Sequence, residues 1–309
     1  MAKELVEKLQ NNLNEKLVGK EETTKLALAC LLAGGHLLLE DVPGVGKTTL
    51  GKTMADSMSV KFGRVQFTPD TLPSDIVGMS LYDMKSGEFV HRDGVVMNNI
   101  VLGDEINRTS PKTQASLLEA MAEGRVTVDG ESFNLPEPFM VIATQNPVEF
   151  LGTYPLPEAQ LDRFMMRLSI GYPDEENEKN LMKSFLSGNK EQAVEAVCKA
   201  EDIMELQKEV TEVEVSDRLI EYIENIILET RKESRFKLGI SPRGMLHLVR
   251  LSQSFAYLNN RNYVIPDDVK AVAECCLAHR LVLTSEAMMK GEVVSKILKA
   301  LILKVKIPV

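Results

Sequence analysis

His36-Leu37-Leu38-Leu39-Glu40, continued by Asp41-Val42-Pro43-Gly44-Val45-Gly46-Lys47-Thr48-Thr49, decides how this chain is read. An apolar run of strand length enters a glycine-bearing loop, and the loop enters a stretch of helical composition. Gly44 and Gly46 let backbone amides turn inward without a Cβ in the way. Those amides and the start of the next helix form a concentrated anion site. Lys47 adds a mobile positive charge suited to β- and γ-phosphates. Thr48 offers a hydroxyl to Mg²⁺, which otherwise keeps phosphate oxygens and waters. Pro43, Val45 and Thr49 complete the phosphate-facing loop. The strict spacing G-x-x-x-x-G-K-[ST] asks for glycine at 41, where this chain has Asp41. Pro43-Gly44 is expected to shape the loop entry instead.

Around this loop, short apolar runs recur at 65–67, 99–103, 139–144 and 167–171, with helical segments between them. That alternation predicts a parallel sheet covered on both faces. The run 99–103 ends in Asp104-Glu105, at the strand edge where open α/β sheets bind ligands. Neighbouring residues of an extended chain face opposite ways, so the two carboxylates are expected to take separate roles. Asp104 would hold Mg²⁺ through water, and Glu105 would orient and polarise an attacking water. Nothing local accounts for glycine at 103. The run 139–144 leads to Gln145-Asn146-Pro147. There an amide, Asn146 in preference to Gln145, would sense a γ-phosphate or hold the water, while a turn-forming Asn-Pro is the alternative.

Ser110-Pro111 reads as an N-cap and first helical residue. Leu117, Leu118 and Met121 follow at helical spacing, and Gly124 is a stop. Residues 125–128 and 131–135 alternate around Asp129-Gly130, a hairpin with a type I′ turn. Beyond Tyr172-Pro173 the texture changes to long helical periodicities at 219–231, 245–258 and 267–283. The expected organisation is an α/β domain over 1–173 and a smaller, all-helical domain over 174–309.

With 309 residues, the chain has room for about two domains of ordinary size. Apolar content of 44% and charged content of 26% exclude general disorder. No apolar run is long enough for a membrane span, and the start, Met-Ala-Lys-Glu, lacks a signal core, so a cytoplasmic location is expected. A net charge of −9 disfavours non-specific nucleic-acid binding. Cys30, Cys198, Cys275 and Cys276 show no metal or disulfide spacing, and the four histidines are scattered.

Taken in order, these motifs resemble the AAA+ ATPases, and within them the MoxR family. The resemblance rests on EDVPGVGKTT (40–49), GDEINR (103–108), PKTQASLLEAMAEG (111–124), ATQNP (143–147), LPEAQLDRF (156–164) and SPRG (241–244). It implies a P-loop parallel-sheet nucleotide domain followed by a helical lid, binding ATP or ADP with Mg²⁺, and a homo-oligomeric ring, usually of six. It assigns the sensor to Asn146. Arg163 resembles an arginine finger directed at a neighbouring subunit, and Arg243 a lid arginine that contacts nucleotide in its own subunit. Val18-Gly19 sits where such proteins contact adenine. Residues 81–95, with Gly87, resemble an insertion in the second helix of this family. That insertion and the hairpin 125–135 would project to a central pore or partners, or the hairpin's Val126, Val128, Phe133 and Leu135 would pack on their own subunit.

The family's function implies chaperone-like remodelling of a protein client, often one carrying a von Willebrand factor A domain. The competing readings are a nucleic-acid motor, a non-hydrolysing nucleotide switch, and a subunit of a magnesium-chelatase-like assembly. The hairpin 125–135 has one basic residue against two acidic ones, a poor surface for tracking phosphates. The apolar residues 301–309 would add a strand or dock on a neighbour.

Overall fold

The structure, a computed structural model, describes residues 2–85, 87–146, 152–186 and 194–307. In chain order its elements begin with α1 (Ala2–Lys16), α2 (Glu21–Leu32), β1 (Leu37–Glu40), α3 (Lys47–Ser57), β2 (Phe62–Gln66) and α4 (Pro73–Val77). A hairpin of β3 (Gly78–Asp83) and β4 (Glu88–Asp93) leads to β5 (Ile100–Asp104) and α5 (Pro111–Glu123). A second hairpin, β6 (Arg125–Val128) and β7 (Glu131–Asn134), precedes β8 (Met140–Gln145), α6 (Glu158–Leu161), β9 (Met166–Leu168) and α7 (Glu175–Leu186). The remainder comprises α8 (Ala200–Glu212), α9 (Asp217–Lys232), β10 (Phe236–Leu238), α10 (Pro242–Leu258), α11 (Pro266–Leu277), β11 (Val282–Leu283), α12 (Ser285–Met289) and α13 (Val294–Lys304).

These elements form two compact units. The first comprises Met1–Lys25, His36–Leu156 and Leu168–Met204, and the second Leu26–Gly35, Pro157–Arg167 and Glu205–Val309. The partition is therefore not a single cut at 173. Residues 26–35 join the second unit because the Ala29 carbonyl accepts from Ser254 Oγ (2.8 Å) and the Leu31 carbonyl from Gln207 Nε2 (2.7 Å). Residues 157–167 join it because Arg280 and His279 bond Asp162 and the Phe164 carbonyl.

In the first unit the strands run in the order β2-β5-β8-β1, and the pairs β2–β5, β5–β8 and β8–β1 are parallel. Each expected run contributes to a strand. Every residue of β5 is buried, as are the first five of β8 and all three leucines of β1, as a sheet covered on both faces requires. Each such leucine contributes roughly 1.5–3 kcal/mol by leaving water. Packing also explains the glycine in β5. A Cβ at 103 would lie 2.9 Å from Cε2 of the fully buried Phe67, so only glycine leaves that ring its place.

The helix after Ser110 forms as expected. Ser110 Oγ accepts the Thr113 amide (3.3 Å), Pro111 opens the helix and Gly124 ends it at φ 63°. The β6–β7 turn has Asp129 at φ 51° and Gly130 at φ 87°. Val126, Val128 and Leu135 are buried within their own unit, and Phe133 stacks on His91 of β4 at 4.1 Å. The insertion 81–95 is the β3–β4 hairpin, and it exposes Tyr82, Met84, Phe89 and Val90. Ser86 within it lies outside the described residues.

The second unit corrects three expectations. It is helical apart from an antiparallel pair, β10–β11, so it is not all-helical. The periodicity at 267–283 does not give one helix. The α-helix ends at Leu277, and a 3₁₀ turn over Ala278–Arg280 follows. The cause is the buried Arg280, whose guanidinium takes the Cys276 carbonyl at the helix end together with Asp162 and the Phe164 carbonyl. Residues 301–304 form no strand. They close α13, because Ile297, Leu298, Leu301 and Ile302 are buried at helical spacing. Val309 lies outside the described residues. Among the described residues no helix is long and apolar enough to cross a membrane.

His36 ties the start of β1 to its neighbours. Its Nδ1 accepts the Val141 amide (3.1 Å) and its Nε2 donates to the Met121 carbonyl (3.1 Å). Burial pushes its pKa down to about 4, and His279 is displaced in the same direction by burial. Between pH 6.5 and about 4 the unfolded chain therefore binds more protons than the folded one, so stability is full above that window and is lost on acidification. Denaturant unfolding of the wild type is expected to lose about 1–2 kcal/mol through His36 between pH 7.5 and 5. His36→Gln should flatten that slope, and an unchanged slope would remove His36 from this role.

Candidate active site

Parallel pairing brings the carboxyl ends of β1, β2, β5 and β8 to one edge, with Glu40 in register with Gln145, and Gln66 with Asp104. A cleft of about 360 Å³ lies there. Pro43, Gly44, Gly46, Lys47, Thr48, Thr49, Arg64, Gln66, Asp104, Glu105, Thr144 and Asn146 line it. The sequence-derived phosphate loop, acidic pair and amide thus meet in one place.

Gly44 and Gly46 stand at φ 85° and 99°, a left-handed backbone that L side chains rarely adopt, and Gly46 is the N-cap of α3. Lys47 opens that helix. Its Nζ donates to the Asp41 carbonyl (2.8 Å), and desolvation lowers its pKa against the opposing pull of Asp41, Asp104 and Glu105. The departure from glycine at 41 has a structural use. The buried Asp41 carboxylate accepts Ser169 Oγ (2.8 Å) and the amides of Ile170 (2.6 Å) and Gly171 (3.1 Å). It fastens the root of the loop to the chain after β9. Val18 and Gly19 follow Leu17, whose Cδ2 lies 3.7 Å from the position a Cβ would take at Gly46. The segment expected to meet adenine therefore borders the loop.

The acidic pair differs from expectation in one respect. The chain is not extended through both residues. β5 ends at Asp104, and Glu105 is left-handed (φ 57°, ψ 51°) as it opens the turn Ile106–Arg108. Both carboxylates line the same cleft as a result. Thr144, across from Asp104 on β8, bonds both residues: its hydroxyl accepts the Glu105 amide (2.9 Å) and faces Asp104 Oδ1 at 3.4 Å. Glu105 Oε2 accepts Gln66 Nε2 (2.8 Å) and Arg108 NH1 (2.9 Å). Asp104 Oδ2 accepts Arg64 Nε and pairs with its NH2, both at 2.8 Å. Thr48 and the buried Asp104 present a hydroxyl and a carboxylate to one cleft, a donor set that fits a hard, water-keeping cation such as Mg²⁺.

Sequence reading missed Arg64, Gln66, Thr144 and the bond from Arg108. A signal for the first two existed. Arg64 and Gln66 are polar at alternate positions of one strand, and such residues share a face. Asn146 is buried at the end of β8, while Pro147 lies outside the described residues.

Arg163 and Arg243 belong to the second unit. Arg163 follows Asp162 directly after α6, and its amide bonds the Gln160 carbonyl (3.1 Å). Asp162 joins the two motifs. It accepts Ser241 Oγ (2.9 and 3.0 Å) and Arg280 Nε (2.9 Å), and Arg243 NH1 stands 3.8 Å from it. Ser241 also caps α10 by accepting the Gly244 amide (3.0 Å), so Arg243 sits in the first turn of a fixed helix.

A phosphate loop on β1, an acidic pair on β5 and a polar amide on β8 define a P-loop nucleotide-binding domain of the AAA type. The profile of the ATPase family associated with various cellular activities (AAA) matches residues 36–166, and that of the AAA lid domain matches 228–301. The chain is 49% identical to the protein YeaC of Bacillus subtilis, across 99% of this chain and 95% of that one. It is 39% identical to Chaperone MoxR1 of Mycobacterium tuberculosis, across 88% and 74% respectively. The crystal structure of a candidate ATPase from Cytophaga hutchinsonii superposes with a TM-score of 0.93 at 37% identity, covering 99% of this chain and 96% of that one. The chain belongs to the MoxR family of AAA+ ATPases.

Asp41→Asn replaces one acceptor oxygen with a donor that faces backbone N–H groups. The variant is expected to lose about 1–3 kcal/mol in denaturant unfolding. An unaltered midpoint would show that the brace at 41 contributes nothing.

Proposed function

We propose that this chain hydrolyses ATP to ADP and phosphate with Mg²⁺ and couples that cycle to remodelling a protein client. The observation that carries the reading is the convergence of Lys47, Thr48, Asp104, Glu105 and Asn146 on one cleft. Pro43, Gly44, Val45, Gly46 and Thr49 form the phosphate cradle, and Val18-Gly19 meets adenine. Lys47 draws the β- and γ-phosphates. Thr48 and Asp104 hold Mg²⁺, which when bound supplies positive charge against the phosphoryl oxygens. Glu105 orients water and receives its proton as the oxygen attacks the γ-phosphorus. The γ-phosphorus–oxygen bond breaks, and ADP departs with the bridging oxygen. Asn146 reports the γ-phosphate.

Loose phosphoryl transition states need external cations. Arg163 is proposed to supply one to the neighbouring copy in a homo-oligomeric ring of six, and Arg243 to contact nucleotide in its own copy. A protein client, rather than nucleic acid, accords with the acidic chain and with the chaperone name of the Mycobacterium relative. A von Willebrand factor A domain on that client and a cytoplasmic location complete the proposal.

Glu105→Gln should still bind ATP while phosphate release falls by about 10²-fold or more, the scale of a lost general base. Equal turnover would remove Glu105 from the chemistry. Wild-type turnover per subunit should climb with protein concentration. Arg163→Ala should bind ATP yet turn over slower by a factor on the order of 10³. Full activity of dilute single copies would contradict a finger acting between subunits.

A further inference from the structure

Among the described residues lining the cleft, Arg64 is the one charged side chain that the proposed reaction leaves without a task. It projects from β2 two residues before Gln66, on the same face, so β2 supplies one donor to each carboxylate of the acidic pair. Its Nε and NH2 both reach the same oxygen, Asp104 Oδ2, at 2.8 Å. That oxygen's acceptor directions are thereby taken, and Oδ1 faces Thr144. Asp104 is the carboxylate the reaction reserves for Mg²⁺. A guanidinium and a divalent cation competing for one buried carboxylate repel each other at hydrogen-bond distance. The Arg64 side chain is 50% exposed against 12% for Asp104, so the arginine is the partner free to swing.

We infer that Arg64 is an exchangeable cation. It neutralises Asp104 until Mg-nucleotide arrives and then releases that carboxylate and turns to the incoming phosphates. The inference rests on the nucleotide-binding reading of the same cleft. Charge complementarity supports it. Among the described residues, the charged side chains lining the cleft are Lys47 and Arg64 against Asp104 and Glu105, two of each sign. Removing Arg64 leaves Lys47 alone against Asp104 and Glu105 among those side chains, so an incoming polyphosphate depends more on an accompanying metal cation. Arg64 therefore makes nucleotide binding less dependent on Mg²⁺. Arg64 thus acts on two groups in turn, first on Asp104 and then on the nucleotide.

The test is fluorescence titration of the full chain with a fluorescent ADP, once in EDTA and once in saturating MgCl₂. The quantity read is the ratio of Kd in EDTA to Kd in Mg²⁺. Arg64→Ala should raise that ratio by roughly 10-fold, the scale of one unit charge at short range in a half-exposed site. Most of the change should fall in the EDTA arm. Arg64→Lys, which keeps the charge, should stay near wild type. Arg64→Gln, which keeps hydrogen bonding but not charge, should follow alanine and serves if the alanine variant misfolds. An unchanged ratio in both neutral variants overturns the exchange. Equal weakening in the two arms also overturns it, because Arg64 would then be a plain phosphate ligand. Wild-type protein that binds nucleotide in neither arm overturns the nucleotide reading and this inference together. Binding in the wild type with a flat ratio across variants overturns the inference alone.

Discussion

The register of β5 between β2 and β8 is the constraint from which the cleft follows. With Gln66 opposite Asp104 on one side and Ala143 opposite Gly103 on the other, the last residue of β5 has Arg64 and Gln66 on its left and Thr144 on its right. A slip of one residue would reverse the facing of every side chain on the strand and separate these groups. The register is held because β5 is buried on both faces and because Gly103 alone leaves room for Phe67. Core packing beneath the edge thus fixes chemistry at the edge.

The cleft also concentrates conformations that a chain adopts reluctantly. Gly44 and Gly46 are left-handed, and so is Glu105, which has a Cβ and pays for that geometry. Bonds from Thr144, Gln66 and Arg108 hold Glu105 in place. Asp41 performs the matching task for the loop, anchoring its root to residues 169–171 while its carbonyl parks Lys47. Both devices are polar side chains bonded to backbone that the strand pattern leaves over.

In the second unit one buried guanidinium organises a comparable amount of structure. Arg280 ends α11, binds the Asp162 carboxylate and takes the Phe164 carbonyl. Asp162 in turn joins the segment bearing Arg163 to the helix start bearing Arg243. Of the two arginines that the MoxR resemblance singles out, Arg243 stands 3.8 Å from that carboxylate and Arg163 is its neighbour in the chain. Removing Asp162 leaves the buried Arg280 without its carboxylate partner, which costs more than the pair itself contributes.

Much of this molecule was legible in its residues. The loop 41–49, the five strands, the helix capped by Ser110 and the Asp129-Gly130 turn depend on local rules, namely periodicity, capping and left-handed tolerance, which act over a few neighbours. The family followed from the order of such motifs. The partners of Arg64, Gln66 and Thr144 stayed hidden because they lie some 39 or 40 positions away in the chain, and pairing across parallel strands is not encoded in spacing. The end of α11 was misread because Arg280 answers to Asp162 and the Phe164 carbonyl, more than a hundred positions away, as well as to its own helix end. Residue types set which chemistry was available, and long-range packing chose which carboxylate met which cation.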